Sequence, residues 1–475
     1  MIFKSLSKIQ SDLNHNETTI LELVETYLSN INKHETNNAF VEVFAEEAKQ
    51  RAEHLDGKFK NNPDAMGPLF GAVISIKDNL CYENHQVSAG SKMLANFTSP
   101  YSATVVQRLI DADAIIIGRT NCDEFSMGST SETSFYGPVK NAVNVEHVAG
   151  GSSGGAAVSI KLNQCLAAIG SDTGGSIRQP ASFNGVLGFK PTYGIVSRWG
   201  LIAYGSSLDA IGVLSHDVST ISDIINVISG QDQYDSTMLQ EPVPQLKLEQ
   251  FDLSHFKIAT LTELVQHQKL DSSVKNSFDL FIKNEGLNVE EISFPLTEYL
   301  VPAYYILCCA EASSNLSRFD GIRYGHKSSE DVENFNQQIK NSRTEGFGLE
   351  VKKRIILGNY VLSEGYYDAY FKKAQQVRSL IKTFIDDLFD KYDFIILPTT
   401  TSEAWLLGES TKDPIEMYLA DMYTVLANLC GIPAINIPLT NKNSILPLGI
   451  QILAKSGNDG RILSFVSNLS NASKA

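Results

Sequence analysis

The sequence predicts an α/β protein in which a β-sheet is covered by helices, and three observations carry that reading. Short β-like runs, Ala72 to Ile76, Ala114 to Ile117, Phe394 to Leu397 and Ala434 to Pro438, alternate with amphipathic helical stretches such as Val105 to Asp111. Residues 1–60 read as helical. The chain has 475 residues, 43% of them hydrophobic, enough for a large buried core.

Taken in order, the N-terminal segment shows Thr19 and Glu22 at the spacing of a capping box, followed by Ile20, Leu23, Val24, Tyr27, Leu28 and Ile31 on one helical face. Such a stripe packs, here against the main domain. The β-like runs begin after Gly67. The stretch from Gln231 to Gln250, polar and bearing Pro242 and Pro244, reads as a loop between two halves. The expected organisation is a helical segment over 1–60 packed on one domain over 61–475, whose motif-bearing core covers about 67–220. The longest apolar run, Tyr299 to Ala310, contains Pro302 and is too short to span a bilayer. The N-terminus lacks a sustained apolar region and meets Asp12 early, so the expectation is a cytoplasmic protein with no membrane partner.

Composition excludes several classes. The six cysteines form no CxxC pair and mostly sit among apolar neighbours, so they read as reduced core residues. With 39 Lys and Arg against 54 Asp and Glu, the net charge is -15, which argues against direct nucleic-acid binding as the main task. The basic stretches Lys352, Lys353, Arg354 and Lys372, Lys373 read as solvated helix faces. Neither a GxxxxGK loop nor a GxGxxG between strand and helix occurs, so no ATP site is expected in this chain.

Chemistry concentrates in three segments: IKDN (Ile76 to Asn79), GGSSGG (Gly150 to Gly155) and GSDTGGSIRQP (Gly170 to Pro180). Glycines at 150, 151, 154 and 155 let Ser152 and Ser153 occupy a tight turn. Gly174 and Gly175 precede Ser176, so the N–H groups of Thr173, Gly174, Gly175 and Ser176 could converge beside the Ser176 hydroxyl as an oxyanion nest. A serine hydroxyl needs a base, and Lys77 serves only if burial among Val73, Ile74, Ile76 and Leu80 lowers its pKa from about 10.4.

At these segments the chain resembles the amidase signature family, whose members hydrolyse or transfer amides through a Ser, cis-Ser, Lys triad. The resemblance implies a central mixed β-sheet with helices on both faces. It also implies Ser176 as nucleophile and ester carrier, Ser152 as the proton relay after a cis peptide bond, and Lys77 as general base. Oxyanion donors would come from Thr173, Gly174, Gly175 and Ser176.

Beyond the triad, Glu311 to Gly325, Arg354 to Arg378 and Tyr418 to Leu439 are similar to one branch, the A subunits of glutamyl-tRNA(Gln) amidotransferase. That branch implies a glutamine site in which Arg354 takes the α-carboxylate and Asp421 the α-ammonium, with Tyr305 alongside. A zwitterionic amino acid needs one fixed cation and one fixed anion. The implied function is glutamine hydrolysis supplying ammonia for conversion of Glu-tRNA(Gln) to Gln-tRNA(Gln). The implied partners are B and C subunits in a heterotrimer. The B subunit would hold the tRNA and use ATP and Mg, with no cofactor in this chain. TVLAN (Thr424 to Asn428) and Ala420 depart from the branch's usual pattern.

Alternative readings fit less of the chain. Gly150-x-Ser152-x-Gly154 also satisfies a nucleophile elbow, but no histidine follows His326 to act as a late base. The histidines show neither HxH nor HExxH spacing, which removes a metal amidohydrolase, and no cysteine has a matching His context. A non-catalytic binding subunit conflicts with intact Lys77, Ser152 and Ser176. A stand-alone amidase acting on small amides would use the same triad and is the principal alternative.

Overall fold

The computed structural model describes residues 4–330, 332–409, 418–439 and 445–469. Its core is an 11-stranded sheet built from β1 (Phe40–Val43), β2 (Val73–Lys77), β3 (Ile115–Thr120), β4 (Ala167–Asp172), β5 (Leu187–Lys190), β6 (Ala210–Ser215), β7 (Ile258–Leu261), β8 (Val289–Ile292), β9 (Phe394–Pro398), β10 (Ala434–Leu439) and β11 (Leu448–Ala454). The strand order is β1-β3-β2-β4-β6-β5-β10-β11-β9-β7-β8. β2 runs parallel to β3 and β4, and β7 parallel to β8 and β9, while the six remaining pairings are antiparallel. The sheet is therefore mixed, as the family resemblance implied.

Every residue of β2, β3, β4, β5, β6, β9 and β11 is buried, so both faces of the central sheet are covered and near-continuous apolar runs such as VISIK are required there. The two terminal strands, β1 and β8, carry the exposed positions expected of edges. Helices Gly154–Lys161 and Arg178–Asn184 pack on the middle of the sheet, each beginning within the last residues of a Gly/Ser segment.

The Thr19 capping box forms: Thr19 Oγ1 accepts the Glu22 N–H at 3.2 Å, and the Glu22 carboxylate accepts the Thr19 N–H at 2.9 Å. Its helix, Ile20–Lys33, buries all six residues of the predicted stripe. The segment before residue 60 is not wholly helical, however. β1 pairs antiparallel with β3 and draws this segment into the sheet. Four residues offer too short a period for the sequence to announce a strand.

The stretch from Gln231 to Gln250 contains neither helix nor strand, and Asp232 within it is anchored by Thr104 Oγ1 at 2.6 Å and Ser197 Oγ at 2.5 Å. All six cysteines are buried and unpaired. Among the described residues no helix is long and apolar enough to cross a membrane. The apolar run around Pro302 lies inside the helix Thr297–Asn315, which packs against the helix Leu349–Leu362.

Candidate active site

Lys77 is the last residue of β2 and is fully buried. Its Nζ lies 2.7 Å from Ser152 Oγ, 2.9 Å from Ser153 Oγ and 3.0 Å from Ser171 Oγ. Burial lowers its pKa to about 8, against the opposing charges of Asp123, Asp172 and Asp209. Three hydroxyl oxygens match the three donors of an ammonium, and loss of one proton leaves a lone pair facing the same hydroxyls. Ser153 and Ser171 therefore join the lysine site. Ser171 lay within the segment singled out from the sequence, but nothing in its spacing marked it as a lysine partner.

The Gly151–Ser152 peptide bond is cis. Gly151 itself is tightly enclosed: a Cβ there would fall 2.1 Å from Asp123 Oδ2 and 2.8 Å from the Thr130 nitrogen. Ser176 follows β4 in the turn leading to the helix Arg178–Asn184 and is 8% exposed. Its carbonyl accepts the Ser153 N–H at 3.1 Å, which fixes the two turns side by side. Among the described residues no hydrogen bond joins the side chains of Ser152 and Ser176. The Lys77–Ser152 contact is thus in place.

The turn around Ser176 is held from beneath by Asp172. Its carboxylate accepts the N–H groups of Gly175 at 2.9 Å and Ile177 at 3.2 Å. Burial pushes the Asp172 pKa up, but Arg178, Lys190 and Asn428 outweigh it and hold the value at about 2. One expectation changes here. The Gly175 N–H is committed to Asp172, so the four N–H groups from Thr173 to Ser176 do not all converge beside the Ser176 hydroxyl. The Gly175 φ of +126° turns that N–H away, a conformation open mainly to glycine. Thr173 Oγ1 donates to Asp209 at 2.6 Å, and the Gly174 carbonyl accepts from Thr424 Oγ1 at 2.6 Å. Within the segment that departs from the usual branch pattern, Thr424 thereby braces the Ser176 turn, and Asn428 holds the Asp172 carboxylate that supports it.

Arg354, Asp421 and Tyr305 are brought together, and Thr424 links Asp421 to that turn. Tyr305 Oη donates to Asp421 Oδ2 at 2.7 Å, and the Tyr305 ring centroid lies 5.3 Å from the Arg354 guanidinium carbon. Asp421 also accepts from Ser129 Oγ at 2.9 Å, and its own carbonyl accepts from Thr424 Oγ1 at 3.1 Å. Burial raises the Asp421 pKa to about 6, although Tyr305, Ser129 and Arg354 pull the other way.

Arg354 is 3% exposed and is not part of a solvated helix face. Its Nε donates to Glu350 at 2.9 Å and its Nη1 to Tyr204 Oη at 2.5 Å. Among the described residues Nη2 is buried without a hydrogen-bond partner. A buried guanidinium nitrogen left unpaired costs free energy, which an anion bound there would recover. The rings of Tyr204 and Tyr418 complete an aromatic box around the guanidinium, 5.6 and 6.0 Å away. Tyr204 and Ser129 carry no local sequence signal, because each acts through a partner far along the chain, whereas Glu350 lies four residues before Arg354 at the spacing of a helical ion pair.

This arrangement can be compared with known proteins. The family profile described as Amidase matches residues 22–463. The chain is 46% identical over 452 residues to the glutamyl-tRNA(Gln) amidotransferase A subunit of Lachnospira eligens, covering 94% of this chain and 93% of that one. It is 43% identical over 471 residues to the corresponding protein of Prochlorococcus marinus, covering 98% and 96%. The crystal structure of the Thermotoga maritima counterpart superposes with a TM-score of 0.74 at 33% identity, covering 94% of this chain and 93% of that chain. The chain therefore belongs to the amidase signature family, in the branch formed by the A subunits of glutamyl-tRNA(Gln) amidotransferase.

Proposed function

We propose that this chain is the glutamine-hydrolysing subunit of a Glu-tRNA(Gln) amidotransferase. The observation that carries the reading is the pairing of a buried cation, Arg354, whose Nη2 has no hydrogen-bond partner among the described residues, with a buried carboxylate, Asp421, beside the Ser176 turn. One fixed positive and one fixed negative group suit the two charges of a free amino acid. A simple amide would need neither.

Glutamine binds with its α-carboxylate at Arg354, its α-ammonium at Asp421 and Tyr305 against both. Its side-chain amide then lies at Ser176. Neutral Lys77 takes the Ser152 proton as Ser152 takes the Ser176 proton, and Ser176 Oγ attacks the amide carbon. The carbonyl oxygen becomes an oxyanion, for which the remaining free N–H groups of the Thr173 to Ser176 turn are the donors. Its collapse breaks the C–N bond, the departing nitrogen receives the proton held at Lys77, and ammonia leaves a glutamyl ester on Ser176. Water then attacks the ester, giving glutamate and restoring the serine. The ammonia passes to a B subunit, which holds Glu-tRNA(Gln) and uses ATP and Mg to activate the glutamyl carboxylate, while a C subunit joins the two in a cytoplasmic heterotrimer. This division agrees with the acidic balance of the chain, a net charge of -15.

The test is glutamine-dependent conversion of Glu-tRNA(Gln) to Gln-tRNA(Gln) with ATP, by this chain alone and with its partner chains. Conversion confined to the complex supports the reading. Hydrolysis of simple amides by the isolated chain, indifferent to partners and tRNA, would assign a stand-alone amidase instead.

A further inference from the structure

We propose that Glu124 is a positioning residue that fixes the start of the Arg354 helix relative to the Ser152 turn, and so sets how tightly the amino-acid end of the substrate is held. The inference rests on the glutamine reading above.

Glu124 lies in a segment of unusual backbone. Phe125 and Ser126 have φ values of 49° and 62°, left-handed at two consecutive non-glycine residues. Such a run persists only where its surroundings over-determine it. Four contacts do so. The Asp123 N–H donates to the Ser152 carbonyl at 3.2 Å. The Asp123 carboxylate accepts the Ser131 N–H at 2.8 Å. Asn79 Nδ2 donates to Ser126 Oγ at 2.9 Å. The Phe125 ring packs against Phe319 and Phe347, at centroid distances of 5.1 and 5.6 Å.

The Glu124 side chain is buried, at 3% exposure, and divides its oxygens between two distant segments. Oε1 accepts from Ser91 Oγ at 2.5 Å, and Oε2 accepts the Gly348 N–H at 2.8 Å. Gly348 is the residue before the helix Leu349–Leu362, and no side chain of its own segment caps that helix. The cap is therefore supplied across the fold by the Glu124 carboxyl, whose pKa burial raises to about 7 although the Ser91 hydroxyl and the Gly348 N–H pull the other way. A Cβ on Gly348 would lie 2.3 Å from Glu124 Oε2, so glycine is what allows this approach.

Glu350 and Arg354 sit on the first two turns of the same helix, and Glu350 holds Arg354 Nε. Residues 123 and 124 thus grip the catalytic turn with one backbone N–H and the recognition helix with one carboxylate. Glu124 touches neither the amide nor the triad side chains. Its effect should fall on substrate binding and spare the chemical step.

The experiment compares KM and kcat for L-glutamine in wild type, Glu124→Ala, Glu124→Gln and Ser91→Ala, each as the full chain in the assembly that hydrolyses glutamine. Loss of the buried cap predicts a rise in KM of about tenfold for Glu124→Ala with kcat changed by less than about twofold. Glu124→Gln keeps an acceptor for the Gly348 N–H and should restore KM to within about threefold of wild type. An unchanged KM in Glu124→Ala, a loss confined to kcat, or a Gln variant as impaired as the Ala variant would overturn the proposal. If Glu124→Ala is not recovered folded, Ser91→Ala decides. A KM raised about two- to threefold at constant kcat supports the proposal, and an unmoved KM overturns it. Failure of the wild type to hydrolyse glutamine would instead remove the glutamine reading itself.

Discussion

The protonation of Lys77 gives the sharpest quantitative consequence of the site. Burial brings its pKa down from 10.5 to about 8. A base acts only when neutral, so the competent fraction is about one-tenth at pH 7 and about nine-tenths at pH 9. Single-turnover glutamine hydrolysis should therefore rise about tenfold between those pH values, with an inflection near pH 8. The same shift bears on stability. Because the folded value lies below the unfolded one, the unfolded chain binds more protons between about pH 8 and 10.5, and this residue's contribution improves as pH rises through that window. Below about pH 8 its full cost of about 3 kcal/mol applies, the free energy of holding a buried lysine protonated. The assay is a rapid-quench measurement of ammonia release from pH 6 to 10, with buffer controls for enzyme integrity. A rate independent of pH from 6 to 9, or an inflection near the ordinary lysine value, would refute the assignment of Lys77 as the base.

Three further outcomes follow from the geometry. Arg354→Ala removes a charged donor from the α-carboxylate and should raise the glutamine KM about 10- to 100-fold, and it should also lower the thermal midpoint because Glu350 and Tyr204 lose their partner; an unchanged KM removes Arg354 from the site. Asp421, with its pKa raised to about 6, must be ionised to hold an ammonium, so KM should climb as pH falls through about 6, and Asp421→Asn should abolish that limb. Gly151→Ala places a Cβ 2.1 Å from the Asp123 carboxylate, between backbone nitrogens of Thr130 and Ser131. It should destabilise the fold by about 1–3 kcal/mol in a denaturant titration and suppress activity; a variant of wild-type stability and rate would show that the enclosure is not tight.

What the sequence disclosed and what it hid follow from the range of the interactions. Residues whose role is written in local pattern were legible: the Thr19 capping box, the buried stripe after it and the two Gly/Ser turns. The α/β alternation was legible for the same reason, since Val73, Ile74 and Ile76 mark a buried strand by composition alone. β1 was not, because four residues with one exposed position give no usable period. The site residues Lys77, Ser152 and Ser176 were nameable through family resemblance, but their setting was not. Ser171 and Ser153 reach Lys77 only once β2, β4 and the cis turn are assembled. The commitment of the Gly175 N–H to Asp172 likewise depends on a φ that sequence does not display. Arg354 shows the limit most clearly. Beside Lys352 and Lys353 it reads as one more solvated charge, yet the helix turns it inward against Tyr204 and Glu350.

The central claim is that Ser176 releases ammonia from glutamine and that a separate site consumes it. The most direct measurement is formation of Gln-tRNA(Gln) from Glu-tRNA(Gln) and ATP by the assembled complex, wild type against Ser176→Ala, with either glutamine or ammonium chloride as nitrogen donor. The account predicts that Ser176→Ala loses glutamine-dependent formation and keeps ammonium-dependent formation. Retention of the glutamine-dependent reaction, or loss of both, would contradict it.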